Sequence, residues 1–172
     1  NVRQVAYPYL HELADATKET AVLAVWEGSV SVTVEQIASD RTVKHTSPLG
    51  ARYASTGSAT VQIFLAEMSK ETVTVILDQD TIELQQGWTR SEVQKSLEAG
   101  RRQGNATNLQ ETFDDEVGIA APVYDHRRKV VAAVLIAAPS YRIDDQATQA
   151  LIDQCVATAA MISTRMGNPD SQ

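Results

Sequence analysis

The stretch Val117–Pro139, VGIAAPVYDHRRKVVAAVLIAAP, constrains the fold more than any other part of the chain. Two apolar runs, Val117 to Tyr124 and Val130 to Ala138, flank the charged insert Asp125-His126-Arg127-Arg128-Lys129. That is the pattern of two antiparallel strands joined by a short polar connection. Neither run alternates cleanly between apolar and polar residues, so both faces of this hairpin are expected to be covered. Gly118, Ala120, Ala121, Ala132, Ala133, Ala137 and Ala138 are weak strand formers taken singly, and tertiary packing must hold them in a sheet. Something has to approach that sheet closely: a helix, the ordinary reason for small residues there, or a bound small molecule.

Helices and further strands are legible on both sides of this hairpin. Pro8 to Thr17 places Tyr9, Leu10, Leu13 and Ala16 at helical spacing with Pro8 in the first turn, and the residues before Pro8 are expected to end an earlier helix. Thr20 to Ala38 reads as a second hairpin, TAVLAVW and VSVTVEQIA turning at Glu27-Gly28. Thr42 to Thr46 suggests a third short strand, broken by Ser47-Pro48-Leu49-Gly50. Ser55-Thr56-Gly57-Ser58-Ala59-Thr60 then opens an apolar helix and offers several N-cap hydroxyls. The free N–H groups of such a helix start can receive an anion, although most are satisfied by their own side chains or by water. A short helix follows Ser69, and 78–87 reads as loop. Thr89-Arg90-Ser91-Glu92 matches a capping box, with Gly104 placed to end that helix. Asn105 to Glu116 is polar, and its carboxylates Glu111, Asp114, Asp115 and Glu116 read as a solvated loop, lacking both histidines and calcium-loop spacing. After Pro139, Asp144 or Asp145 caps a long helix carrying Leu151, Ile152, Cys155, Val156, Ala159, Ile162 and Met166, with Gly167 beyond it. The order is that of an α+β domain, an antiparallel sheet flanked by helices.

Charge and cysteine usage narrow the function. A net charge of -7 and a pI near 4.9 argue against this chain gripping a phosphate backbone by itself. Cys155 stands alone and cannot form an internal bridge, which fits a reducing cytoplasm, and no run is long and apolar enough to span a bilayer. The first residue, Asn1, suggests part of a longer polypeptide. There is no nucleophile elbow, zinc spacing, Walker loop or dinucleotide fingerprint. His11, His45 and His126 fall in a helix, beside a strand end and in an exposed turn, with no reason to converge. An enzyme, a metal site and a resident cofactor are therefore not expected.

The chain resembles the effector-binding domain of IclR-type transcriptional regulators, nearly end to end, from LHELADATKETAVLAV to the last helix. VGIAAPVYDHRRKVVAAVLIAAP carries the likeness most strongly, and LGARYASTGSATVQIFLAEMS is similar to the family's second landmark, the loop and helix before its pocket. The resemblance implies a GAF-like domain over residues 8–167, with 1–7 as the end of a linker from an absent N-terminal winged helix-turn-helix domain and 168–172 as a disordered tail. It further implies a homodimer or homotetramer that binds a small-molecule effector and contacts DNA only through that absent domain, without membrane or cofactor. In acid-binding members the ligand is held by backbone amides aligned with Ala59 and Thr60 and by polar side chains aligned with Asn108, Gly118, Leu135 and Ala137, beside an apolar wall aligned with Thr42, His45 and Tyr53.

This chain departs from that pattern at the site itself. Leu135 and Ala137 replace hydroxyl-bearing residues, Gln62 stands where a lysine is common, and Tyr53-Ala54-Ser55-Thr56 replaces a leucine-proline-x-histidine. Fewer donors would leave a buried anion poorly compensated, so a larger or less charged ligand, aromatic in character, is expected. Tyr53, His45, Asn108 and Thr60 remain as polar anchors. A structural dimerisation module with a vestigial pocket is the alternative.

Overall fold

The computed structural model describes residues 1–109 and 115–171. In chain order its elements are α1 (Val2–Thr17), β1 (Thr20–Glu27), β2 (Val30–Ile37), β3 (Arg52–Tyr53), α2 (Ala59–Ala66), α3 (Lys70–Asp78), α4 (Arg90–Gln103), β4 (Ala106–Leu109), β5 (Glu116–Tyr124), β6 (Val130–Pro139) and α5 (Asp145–Arg165). The two hairpins join edge to edge through β1 and β6, giving a six-stranded sheet in the order β3-β2-β1-β6-β5-β4. Each pairing in it is antiparallel.

Register sorts the side chains of the central strands by size. One face carries Ala21 and Leu23 of β1, Val117, Ile119, Ala121 and Val123 of β5, and Ala132, Val134 and Ile136 of β6. Against it pack Ala6, Leu10, Leu13 and Ala14 of α1 with Leu151, Cys155, Ala159 and Ile162 of α5. The other face carries mostly smaller residues, Ala24, Ala120 and Ala133, and receives Ala59, Ile63 and Phe64 of α2. Successive strand residues point to opposite faces, so both halves of the apolar hairpin are buried, as the lack of alternation requires.

Most of the local signals act as their chemistry predicts. Thr89 and Glu92 close a reciprocal capping box on α4, and Gly104 ends that helix in the left-handed conformation. Asp144 caps α5 through Ala147 N–H at 2.7 Å. A register shift at Val123/Tyr124 leaves the Tyr124 N–H free of the ladder, and Ser163 Oγ of α5 accepts it at 2.9 Å.

The differences have physical causes. α1 begins at Val2 rather than Pro8, because the stripe Val2, Val5, Ala6, Tyr9, Leu10, Leu13 and Ala14 continues through the proline onto the sheet. Pro8 and Gln4 are exposed, so the carbonyl that loses its helical partner faces water, and Ala16 lies on the exposed side. Thr42–Thr46 is not a strand. It is an exposed bend held from outside, by Arg142 Nη1 on the Val43 carbonyl at 2.8 Å and Lys44 Nζ on the Ser39 carbonyl at 3.0 Å, and β2 pairs instead with Arg52–Tyr53. The polar stretch after Asn105 contains β4, an edge strand completed by pairing with β5, while Glu111 and Asp114 lie outside the described residues. The tail is not wholly without structure: Pro169–Ser171 forms a 3-10 turn, and Asp170 pairs with Arg128 at 2.7 Å.

Candidate functional site

A cavity of about 440 Å³ opens between the start of α2 and the small-residue face of the sheet. Its floor follows from the register. Val22 of β1 pairs with Leu135 of β6, and Ala137 of β6 pairs with Gly118 of β5, which pairs with Asn108 of β4, so these residues share one face. Gly118 makes the closest approach: a Cβ there would lie 3.4 Å from Leu135 Cδ1 and 3.9 Å from Ala59 Cβ. The roof is α2, whose N-cap residue Ser58 makes no side-chain capping bond. Its hydroxyl instead lies 3.2 Å from Thr60 Oγ1, which also accepts from Ser31 Oγ at 2.8 Å. The first amides of α2 thus carry no side-chain cap from Ser58, and helix-end polarity is directed at the cavity rim.

The outer wall is the segment 45–48. Ser47 N–H donates to Gln36 Oε1 at 2.7 Å, and the Ser47 and Tyr53 hydroxyls hydrogen-bond to each other. His45 Nε2 lies 3.0 Å from the Asp115 carbonyl. A carbonyl can only accept, so Nε2 carries the proton and Nδ1 of the neutral ring is an acceptor. Upstream, Arg142 forms two bonds to the buried Glu19, at 2.9 and 2.5 Å, while reaching the Val43 carbonyl. This ion pair fastens the bend that leads into His45 to the end of β6.

One carboxylate faces the cavity from the sheet. Glu116 lies two residues before Gly118 on the same face, and burial raises its pKa, opposed by His45 and reinforced by Asp115. Cys155 belongs to the opposite face: fully buried, with Sγ 3.5 Å from the Ile119 and Val134 carbonyls and its thiol pushed up to about 12 by desolvation, it is a packing residue.

The structure brings Ala59, Thr60, Asn108, Gly118, Leu135, Ala137, His45 and Tyr53 to this cavity. Thr42 is not among them. It is exposed on the bend, because that segment does not run as a strand along the wall. Val22, Thr33 and Gln36 also line the cavity, as do Ser58, expected only as an N-cap, and Glu116, which is not part of a solvated loop as expected but the partly buried first residue of β5. Spacing could have found Glu116, which shares a strand face with Gly118. Thr33 could not have been found, since a bulge opposite Leu23/Ala24 sets its direction. Among the described residues no group of His, Cys, Asp or Glu gathers as a metal site, and no helix is long and apolar enough to cross a membrane.

Residues 1–164 match the family model of the bacterial transcriptional regulator IclR C-terminal domain. The chain belongs to the IclR family. It is similar to a crystal structure described as a transcriptional regulator of the IclR family, with 43% identity and a TM-score of 0.91, covering 96% of this chain and 97% of that one. Among curated relatives it is 24% identical to the HTH-type transcriptional regulator KipR of Bacillus subtilis over 97% of this chain and 68% of KipR. It is 26% identical to the acetate operon repressor of Salmonella typhimurium over 87% of this chain and 57% of that protein. These relatives are transcription regulators, not enzymes, and the IclR-type domain described here spans only part of their length.

Proposed function

We propose that the cavity is the effector site of an IclR-family regulator and that its ligand has an apolar, aromatic body with one polar end. The observation that carries this is the floor: Leu135 and Ala137 offer no hydrogen bond where an anion would need one, yet they line a cavity of about 440 Å³. The polar groups sit at its margins, on α2, His45, Tyr53 and Asn108. A pocket kept only as a vestige of a dimerisation module would be filled by its own side chains, and this one stays open. On this reading Ala59, Thr60, Asn108, Gly118, Leu135 and Ala137 contact the effector directly. The full-length protein acts as a cytoplasmic homodimer or homotetramer and reaches DNA only through an N-terminal winged helix-turn-helix domain.

Calorimetry with matched ligands tests it. Aromatic compounds with one polar end should bind the wild type, and pyruvate or glyoxylate should not. Leu135→Ser with Ala137→Ser should weaken the aromatic ligand about tenfold, the scale of burying polar groups against an apolar body, and improve the small acid. Micromolar binding of pyruvate to the wild type with no response to aromatics would overturn the proposal.

A further inference from the structure

We infer that the cavity selects a cationic ligand, one whose protonated amine pairs with Glu116 while an oxygen at its other end meets the start of α2. The inference rests on the reading of the cavity as an effector site and names the charge of what enters it. No lining residue is a lysine or arginine, and the sequence of 110–114, between β4 and β5, supplies none. Arg142, at the end of β6, is committed to Glu19 and to the Val43 carbonyl. A carboxylate ligand would therefore enter a cavity with no lysine or arginine to meet it.

Glu116 offers the opposite. Its alternation with Gly118 directs it to the cavity face, and among the described residues no lysine or arginine pairs with it. Beside it on the wall stands His45, whose Nε2 lies 3.0 Å from the Asp115 carbonyl. A partly desolvated carboxylate with no lysine or arginine beside it, and only His45 as a neighbouring base, gains from an ammonium group brought by a ligand. The other pole is set by geometry: Gly118 faces Ala59 and lies two positions along β5 from Glu116, roughly 7 Å of strand rise. Ala137 pairs with Gly118 and Leu135 lies two residues away along β6, so together they floor the cavity at the α2 pole, a surface for an aromatic ring.

Tyramine has this layout, with its phenol oxygen and ammonium on opposite ends of one ring. Tyrosol is its neutral counterpart and phloretate its anionic one. Titration of the chain with the three should give tyramine the highest affinity, by about tenfold or more over tyrosol, as expected of a charge-assisted hydrogen bond. Glu116→Gln, checked for folding by circular dichroism and melting, should remove that preference and bring tyramine to the affinity of tyrosol. Glu116→Asp should retain part of it. Equal binding of tyrosol and tyramine, tighter binding of phloretate, or a tyramine preference that survives Glu116→Gln overturns the inference. If one of those overturning results is found while phloretate or tyrosol binding still responds to Leu135→Ser, the cavity remains the effector site and only the charge assignment fails. If tyramine binds but ignores both Glu116→Gln and Leu135→Ser, the ligand lies elsewhere and both readings fail.

Discussion

The two faces of the sheet share the same strands and differ in what one-residue alternation puts on them. On the α1 and α5 face, Leu23, Ile119, Val134 and Ile136 fill the space under two long helices, with Leu10, Cys155 and Ile162 closing it. On the α2 face the same strands present Ala24, Gly118, Ala120, Ala133 and Ala137 under a helix of 8 residues. The short helix covers one end of that face, where Ile63 and Phe64 meet Ala120 and Ala133, and the other end is left as cavity. Side-chain volume, rather than backbone architecture, divides core from site. A face of large residues excludes everything but its own helices; a face of small ones leaves room that a short helix does not fill.

The sharpest way to break that contrast is to carve the full face. Ile119 is wholly buried among the α1 and α5 side chains, so Ile119→Ala should lower stability by about 2–5 kcal/mol, read as a shifted midpoint in denaturant melts. A loss below about 1 kcal/mol would mean that this face collapses around a void as readily as the other face tolerates one.

Filling the small-residue face should cost less. Ala133 is also fully buried, but its surroundings are Ala24, Ala120 and the α2 side chains Ile63 and Phe64. Ala133→Phe should destabilise by about 1–3 kcal/mol through overpacking. An unchanged melting temperature would show that α2 gives way, and that this end of the face is as open as the cavity end.

The sequence carried the frame of this comparison and little of its detail. The unbroken apolar runs of 117–124 and 130–138 required a strand pair covered on both sides, and the capping signals at Thr89, Gly104 and Asp144 are local chemistry that tertiary structure had no reason to override. β4 was hidden because an edge strand gains its partner from β5 and needs no apolar pattern of its own. Locally, Pro8 marks a helix start, while the packing that carries α1 through it is long-range. At the site, the α2 start, Gly118, Leu135 and Ala137 came from the family likeness. Thr42 misled because the bend 40–43 is held by Arg142, a residue 99 positions away along the chain from Val43, a tie no local pattern announces.

The mildest change tests whether the cavity is space the fold can do without. Gly118 sits in β5 without a left-handed backbone, so nothing in its conformation demands glycine. An added Cβ would meet Leu135 Cδ1 at 3.4 Å, Asn108 Cβ at 3.6 Å and Ala59 Cβ at 3.9 Å, ordinary contacts with no backbone in the way. Gly118→Ala should therefore leave stability within about 1 kcal/mol of the wild type, and could raise it, since alanine loses less backbone freedom on folding. Binding should respond differently. The methyl group would enter the cavity beside Leu135, between the two polar margins, where a ring-bearing ligand has to lie. A thermal melt and a calorimetric titration on the same preparation separate the two effects. Unchanged or raised melting temperature with weakened binding marks the missing side chain as room for a ligand, whereas a melting temperature lowered by many degrees with binding intact would mark Gly118 as packing and make the two faces alike.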